Sequence, residues 1–512
     1  MRSPLRGHVS FKNANVLMPA VVFAVGLALI LFGERQTVND GLGWDGTLYA
    51  NWVRDTYNVL FVQGLEAYFT RRVLPSLVVR GGMELLSAPF TNRNIVLAYE
   101  VYNLVLLTAS AHVWGRVADE LKLEDRAKWF GFLFLFVNFT NLKWNFYAPV
   151  WTDPPAFTLG LLAFYFYLKD RPGWLALVVF LSGFTWPTGP LMFSLLLVFP
   201  RREGEPAPVP YRLNLVAAGA AALVTAAAVL RLTDARLPER VQWFYRLLWV
   251  DTDFARLSAA ALVAYVFFAY RGVLADGRLF DPRHALRSVR WRRVPLVAAI
   301  LAAQKLIQLA IWNGQDIHVG STKMFVMQTL LSGMTEPLIP VVAHPLWYGP
   351  WFLLLLLFWK PFCRACAGYG LGMSALLLVT VFVSICSQSR WTANVFPVFV
   401  AVLVRALWPV LKGQSLLLWA ALCLVYSKVW LVMNTAPFVD DGTMEGLLSF
   451  PLQRQFMTFG TYMARETYFA QGAAVLLTGA LLYFVVRRGR AAGVAREAPA
   501  PARLAPENAG NF

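Results

Sequence analysis

The first segment that could do chemistry is Asp40-Gly-Leu-Gly-Trp-Asp-Gly-Thr-Leu-Tyr-Ala, soon after the first long apolar run. Glycines at 41, 43 and 46 disfavour a helix, so we expect its carboxylates, Asp40 and Asp45, on a turn-rich segment at the membrane surface. A carboxylate that is partly removed from water holds protons more tightly and can act as a general base toward a hydroxyl group. Alternatively, both residues cap turns or the helix that follows.

A third acidic residue, Asp153, lies in Tyr147-Ala-Pro-Val-Trp-Thr-Asp-Pro-Pro-Ala-Phe, between two further apolar runs. Aspartate followed by proline is typical of a helix start, with the aspartate as the cap. That role does not exclude catalysis, because a carboxylate at the outer end of a short helix can face the same cavity as Asp45.

Arg390 lies in Ser387-Gln-Ser-Arg-Trp-Thr-Ala-Asn-Val-Phe-Pro, a tight link between two apolar runs. Its guanidinium has two interpretations. It either extends to lipid headgroups, or points inward and binds a lipid phosphate, whose oxygens match its fork. Four further basic residues are weaker candidates for phosphate binding: Arg54, Arg71, Arg72 and Lys323.

Two histidines, His318 and His344, fall in another predicted outside loop, with Glu336 between them. Their irregular spacing does not match a metal site, and hydrogen bonding at the interface is the usual role of such histidines. We therefore predict no metal site and keep both histidines as candidate substrate contacts.

The elements that must position these residues are membrane helices. The chain has 512 residues, of which 58% are hydrophobic and 15% charged, a composition typical of a polytopic membrane protein. Its net charge of +17 comes from short basic blocks between apolar runs, which indicates cytoplasmic loops and contact with anionic lipids rather than nucleic acid. The four cysteines indicate no disulfide framework.

The apolar runs predict an all-α bundle of about fourteen transmembrane helices, within a range of roughly eleven to fourteen. Segments assigned to the inside hold more than half of the 46 Lys and Arg residues, which supports cytoplasmic N- and C-termini because positive residues resist translocation. The predicted helices lie near 16–33, 95–115, 129–142, 155–168, 174–186, 188–200, 213–231, 257–271, 294–312, 346–360, 369–386, 392–409, 415–433 and 469–486.

We expect one transmembrane domain over residues 1–486 and a disordered cytoplasmic tail over 487–512, which is rich in Ala, Pro and Arg. The first apolar run is predicted to be an uncleaved anchor. The first outside loop, 34–94, mixes aromatic and apolar residues, which favours short helices that lie in the membrane interface.

Taken together, the anchor, the Trp44-Asp45-Gly46 motif with Tyr49, the interfacial helices and the acidic link at Asp153 resemble the GT-C superfamily of polyprenyl-phosphate-sugar-dependent glycosyltransferases. The resemblance is specific over residues 16–200, the GT-C-like N-terminal module. Over 201–486, the variable C-terminal helices, it is limited to general hydropathy and Arg390.

The resemblance implies a multi-helix membrane enzyme in which basic residues bind the donor phosphate. It assigns the catalytic base to Asp45, its partner to Asp40 or Asp153, and the phosphate ligand to Arg390. Substrate contacts would come from Tyr49 and the weaker basic and histidine candidates. Many members also carry a C-terminal outside domain that we do not expect here, so the acceptor class stays open between a lipid, a glycan and a protein.

The predicted function is therefore a metal-independent, inverting glycosyltransferase. It would move a sugar from a polyprenyl-phosphate donor to an acceptor at the extracytoplasmic face, without a cofactor, because a fixed arginine can stabilise the departing phosphate. The excess of arginine over lysine suggests a bacterial inner membrane.

Two alternatives remain open. A transporter or lipid flippase would need polar residues along a path at mid-membrane depth, and the predicted helices carry few, notably Gln304, Lys305 and Lys428. An envelope polysaccharide polymerase or ligase would also use outside arginines, but we would expect it to rely on a large, late outside loop.

Overall fold

The computed structural model describes residues 13–202, 204, 209–232, 254–315, 322–435, 460, 463 and 465–497. Throughout these residues the regular structure is helical, and an isolated β-bridge between Leu65 and Trp312 is the sole strand-like pairing there. The prediction of an all-α protein is confirmed for this part of the chain.

The α-helices of the described residues up to 232 are α1 (Ala14–Phe32), α2 (Asp45–Arg54), α3 (Val73–Leu85), α4 (Asn92–Glu120), α5 (Asp125–Phe136), α6 (Asn145–Tyr147), α7 (Asp153–Leu168), α8 (Pro172–Ser182), α9 (Gly189–Val198) and α10 (Tyr211–Leu232). Those that follow are α11 (Ala255–Val273), α12 (Pro282–Ser288), α13 (Val294–Ala310), α14 (Thr322–Ser332), α15 (Ile339–Tyr348), α16 (Trp351–Leu357), α17 (Trp359–Gly368), α18 (Leu371–Val383), α19 (Phe396–Leu411), α20 (Leu416–Ser427) and α21 (Arg465–Glu497).

Six helices among the described residues are long and apolar enough to cross a membrane. They are α1, α4, α10, α11, α13 with the turn before it (Trp291–Ala310), and the first part of α21 (Arg465–Val486). The pair α16 and α17 passes the same test together but is bent by 91° at its break. The chain is thus a helical protein with six candidate spans in its described part, and the count of about fourteen stays a prediction.

Shorter apolar helices occupy several of the other predicted spans, including α8, α9, α18, α19 and α20. Prolines in the first turn of α9 and α19 lie inside the predicted spans and explain part of this difference. Proline is tolerated at a helix start but cannot continue a helix from the preceding segment, so it divides an apolar run into shorter pieces.

Segments predicted to share the outside contact one another at one end of the bundle, which we call the first-loop end. The backbone amide of Gln36 donates to Tyr147 O at 2.9 Å, and the backbone amide of Leu74 donates to Phe184 O at 3.0 Å. The bridge at Leu65 adds the segment that follows α13. Four separate loops therefore meet where the candidate site lies.

Segments predicted to lie inside contact one another at the opposite end. Lys169 forms an ion pair with Glu120 at 2.6 Å, and Arg293 forms one with Asp170 at 2.9 Å. These contacts agree with the predicted division of the loops into two sides, whereas the end that faces the cytoplasm stays a prediction.

The first loop has an apolar core of its own. Buried residues of α2 and α3, among them Tyr49, Trp52 and Val79, pack with Tyr99 of α4 and with Val150. Burial of aromatic side chains contributes strongly to stability. The helices expected in this loop are thus present as a packed unit that positions the residues around Asp45.

Two local predictions require correction. Asp45 begins α2 rather than lying on a glycine-rich turn. A carboxylate in the first turn is favoured by the helix dipole, and of the three glycines only Gly46 falls inside the helix. Helix α21 continues to Glu497, past residue 487, where disorder was predicted. Alanine and arginine are strong helix formers, and residues 498–512 of that tail lie outside the described part.

Candidate functional site

A buried ion pair joins Asp153, in the first turn of α7, to Arg390, in the 3-10 turn Ser389–Thr392. Arg390 Nη2 lies 2.7 Å from Asp153 Oδ2, and Nε lies 3.1 Å from Oδ1. The Trp151 ring covers the guanidinium, with Arg390 Cζ 3.9 Å from its centroid. The fork that we expected to bind phosphate therefore holds a carboxylate of the same chain, which is the strong two-point geometry of this pair.

A second buried guanidinium, that of Arg72, has a different environment. Arg72 lies at the start of α3 and is only 3% exposed. Its Nη1 donates weakly to the hydroxyls of Tyr49 at 3.4 Å and Thr152 at 3.3 Å. Among the described residues, its Nε has no hydrogen-bond partner.

Aromatic rings surround Arg72. Its Cζ lies 4.5 Å from the ring centroid of Tyr68 and 5.1 Å from that of Trp186. Trp186 also lies 5.8 Å from Arg390 Cζ, so the two guanidinium groups share one wall. Rings stabilise a desolvated cation through their negative faces, but they do not neutralise it as a carboxylate does.

Asp45 supplies a negative charge close to Arg72. It is half-buried in the first turn of α2, and its charge acts on Arg72, Tyr49 and Tyr68. Burial raises the pKa of Tyr49, so this hydroxyl stays protonated and able to donate.

Glycine at position 46 sets how closely Asp45 approaches the second acidic link. A Cβ at Gly46 would lie 3.1 Å from Val150 Cβ, which is tighter than ordinary contact. The first turn of α2 therefore packs directly on the segment that leads to Asp153.

We call this assembly the first-loop cluster. Its members are Asp45, Tyr49, Tyr68, Arg72, Trp151, Thr152, Asp153, Trp186 and Arg390. Because Asp153 neutralises Arg390, the charges of the cluster that remain for a ligand, among the described residues, are those of Arg72 and Asp45. Such a site can accept an anion at Arg72 and a proton at Asp45.

Helix α15 contacts the turn that carries Arg390. His344 is buried, with Nδ1 2.8 Å from Ser389 Oγ and Nε2 2.8 Å from Ser384 O. Because a carbonyl only accepts, Nε2 carries the proton and Nδ1 accepts from the serine. The Tyr348 hydroxyl donates to Ser389 O at 2.6 Å. His344 thus positions Arg390 and does not itself join the cluster.

An apolar cavity of about 390 Å³ borders this turn and α15. Its wall includes Thr392, which belongs to the 389–392 turn, and His344 and Tyr348, which contact that turn. Most of its remaining lining is hydrophobic, including Phe268, Trp351, Leu355, Phe396 and Phe399. A hydrocarbon chain could therefore lie in this cavity with its end near Arg390.

Other predicted site residues lie apart from the cluster. Asp40 is exposed and accepts a hydrogen bond from Asn92 at 2.9 Å. Arg54 donates to Asn51 at 2.8 Å and also to Asn92. Asp40 and Arg54 therefore meet at Asn92, in a different place from Asp45.

The remaining candidates add nothing to the cluster. Arg71 is partly exposed beside Arg72, and Lys323 is exposed on α14. His318 lies outside the described residues. In the described part of the chain, no group of three His, Cys, Asp or Glu side chains could hold a metal ion, and metal independence stays a prediction.

Sequence reasoning missed Trp151, Thr152 and Trp186 and ranked Arg72 among the weaker candidates. The segment Thr185-Trp-Pro-Thr-Gly-Pro, which carries Trp186, is an outside link with turn residues and an aromatic residue. It could have been flagged as a partner for the Trp-Thr-Asp link, which has the same combination of tryptophan, threonine and proline.

The described part of the chain is thus an all-helical bundle with six candidate membrane spans and a buried charged site at one end, which is consistent with a membrane protein. Comparison with protein-family models, with curated proteins and with solved structures finds no match to this chain.

Proposed function

We propose that the first-loop cluster is the active site of an inverting glycosyltransferase that takes its sugar from a polyprenyl-phosphate donor, without a metal. The observation that carries this proposal is the state of Arg72. It is a buried cation that contacts neutral hydroxyls and aromatic rings among the described residues, with a half-buried carboxylate close by.

A buried charge without a directly bonded counter-ion is costly, by several kcal/mol per ion even after relaxation. An anionic ligand that reaches Arg72 recovers this energy. Phosphate suits the site, because the guanidinium fork matches its oxygens. This reasoning moves the role of phosphate ligand from Arg390 to Arg72, and gives Arg390 the task of holding Asp153 and Trp151 in place.

Asp45 would act as the general base. In the proposed step, the acceptor hydroxyl transfers its proton to the Asp45 carboxylate while its oxygen bonds to the anomeric carbon of the sugar. The bond from that carbon to the phosphate oxygen breaks, and the phosphate leaves with the electron pair toward Arg72. Attack on the face opposite the leaving group inverts the anomeric centre.

Electrostatic stabilisation of the leaving phosphate is the part of this mechanism that Arg72 provides. A fixed donor in a site from which water is excluded needs no reorganisation during the reaction. The hydroxyls of Tyr49 and Thr152, which already contact Arg72, can donate to the same phosphate or to the sugar.

The apolar cavity supports a lipid-linked donor. Its volume of about 390 Å³ and hydrophobic lining suit part of a prenyl chain. Because Thr392 of the 389–392 turn lines the cavity, the end of such a chain would lie near the Arg390–Asp153 pair. A soluble nucleotide sugar has no apolar chain that could occupy this cavity.

The proposal is tested by transfer from radiolabelled polyprenyl-phosphate sugars to endogenous lipid and glycan acceptors, with the purified full chain in nanodiscs. Asp45→Asn should lower turnover by about a hundredfold or more, the usual contribution of a general base. Asp55→Asn is the matched control, because Asp55 ends the same helix and is exposed.

Full activity of Asp45→Asn at normal expression would overturn the assignment of the base. Absence of transfer from every donor, combined with lipid movement across the bilayer, would favour the transporter or flippase alternative. Chain extension of a lipid-linked glycan would favour the polymerase.

A further inference from the structure

A second cavity opens at the first-loop end, between the end of α1 and the start of α4. Its volume is about 460 Å³, and its lining contains four charged side chains, those of Arg35, Asp40, Arg93 and Glu100. None of the residues of the first-loop cluster lines this cavity, so it is a distinct site.

Two of the four charges neutralise each other. Arg35 Nη2 lies 2.9 Å from Glu100 Oε2 and 2.8 Å from Ile30 O. The Glu100 side chain is only 1% exposed, whereas that of Arg35 is 44% exposed. This pair links the segment after α1 to α4 and adds no net charge to the cavity.

The other two charges remain available at the cavity. Asp40 is exposed, and Asn92 donates one hydrogen bond to its Oδ2. Arg93 is exposed, and its guanidinium forms no hydrogen bond or ion pair with another described residue. Within the described part of the chain, the cavity thus offers one free cation and one carboxylate with open acceptor positions.

Asp40 lies on a strained stretch of backbone. Asn39 and Asp40 both adopt left-handed angles, with φ of 49° and 55°. Asparagine and aspartate tolerate this region better than most residues, but two in succession are uncommon. Strain of this kind is found where a side chain must be held in one place for function.

Apolar surface continues from this cavity toward the membrane. Leu97, which lines the cavity, is 46% exposed, and Val101 and Val105 on the same face of α4 are 49% and 59% exposed. The spacing of four residues aligns them in one stripe along a candidate span. A ligand that fits both features has a polar head in the cavity and an acyl chain along the stripe.

We propose that this cavity binds a zwitterionic phospholipid whose headgroup carries a primary amine. The phosphate would accept from Arg93, and the ammonium group would donate to Asp40. A trimethylammonium headgroup has no N–H to donate, and an anionic headgroup without an amine leaves Asp40 facing a like charge. The occupant would be a structural lipid and not the donor of the proposed reaction, because it binds outside the first-loop cluster.

The test is native mass spectrometry of the full chain, titrated with phosphatidylethanolamine, phosphatidylcholine and phosphatidylglycerol of identical acyl chains. Wild type should retain one phosphatidylethanolamine more tightly than either of the others. Asp40→Asn should remove the preference over phosphatidylcholine, and asparagine suits the left-handed backbone. Arg93→Gln should weaken both zwitterionic lipids by about tenfold, as expected for loss of a charged hydrogen bond.

Arg116→Gln is the matched control, because Arg116 is an exposed arginine at the other end of α4. Equal retention of the three lipids by wild type, or a preference that survives both substitutions, would overturn the proposal. Displacement of the lipid by an equal concentration of soluble O-phosphoethanolamine would also overturn it, since the occupant would then be a soluble phosphoamine. Lipid retention that is independent of glycosyl transfer keeps this test separate from that of the proposed function.

Discussion

Asp153 and Arg390 form a two-point ion pair, at 2.7 and 3.1 Å, although 237 positions separate them in the chain. The pair fastens the start of α7 to the turn between α18 and α19. Both side chains are nearly inaccessible to solvent. The contact therefore fixes the back of the first-loop cluster, against which Trp151 and Trp186 are packed.

Removal of one partner of this pair should be strongly destabilising. Asp153→Asn and Arg390→Gln each leave the other charge buried without its counter-ion, at a cost of about 3–5 kcal/mol. The double variant removes both charges, so we expect it to lose less than the sum of the two single variants. Thermal unfolding in detergent measures the stability of the three variants. Strictly additive losses of stability would show that the two side chains do not interact.

The stability of the protein should also depend on the close approach of α7 to the segment just before α19. A Cβ at Gly160 of α7 would lie 2.0 Å from the backbone oxygen of Asn394, just before α19. Gly160→Ala should push α7 away from the Arg390 turn and lower both the melting temperature and the proposed activity. Backbone atoms cannot move aside as a flexible side chain does.

Gly219→Ala is the control for this substitution. Gly219 lies within α10, and a Cβ there meets nothing within 4 Å. Alanine should stabilise this helix by about 0.5–1 kcal/mol through its higher propensity. An unchanged melting temperature for Gly160→Ala would contradict the close contact between α7 and the backbone at Asn394.

These contacts explain which parts of the site could be predicted from the sequence. Asp45, Asp153 and Arg390 each stand out locally, because a charged residue beside turn residues and tryptophan at the end of an apolar run is unusual. Their placement on one side followed from the distribution of positive residues. The pairing of Asp153 with Arg390 could not be predicted, since it depends on how α7 and α19 pack.

Arg72 illustrates the same limit. Nothing in the sequence distinguishes it from its neighbour Arg71, and both follow Tyr68-Phe-Thr. In the structure the backbone leaves the short helix Phe69–Arg71, and Arg72 takes φ −134° and ψ 10° before α3 begins. That change of direction buries Arg72 and leaves the preceding Arg71 partly exposed.

The number of spans could not be settled from hydropathy for a related reason. A run of apolar residues has the same hydropathy whether it forms one helix or two short ones. The pair α16 and α17, bent by 91°, shows how a single apolar run divides at one break.

A pH-dependent contact should exist at the first-loop end, where Glu34 joins the segment after α20. Burial alone would raise the pKa of Glu34, but hydrogen bonds from Lys143 and from the amides of Asn434 and Met433 outweigh burial and lower it. A lowered folded pKa means that this contact is present above the usual carboxyl value of 4.5. It is lost as the pH falls through the lower folded value.

Hydrogen exchange of the peptide that contains Met433 and Asn434 measures this effect. Its protection, corrected for the intrinsic rate, should stay constant from neutral pH down to about pH 5 and fall below it. Glu34→Gln should remove the dependence on pH. Protection that increases toward acid pH would contradict the sign of the pKa shift.

Binding of polyprenyl phosphate, the leaving group of the proposed reaction, tests the role of Arg72 most directly. The affinity of the full chain in nanodiscs should be measured for wild type, Arg72→Gln, Arg72→Lys and Arg71→Gln. Arg72→Gln should weaken binding by about tenfold or more, as expected for loss of a charge-assisted hydrogen bond, Arg72→Lys should recover part of it, and Arg71→Gln should bind as wild type. Unchanged affinity of a folded Arg72→Gln variant, or an equal loss in Arg71→Gln, would contradict the account.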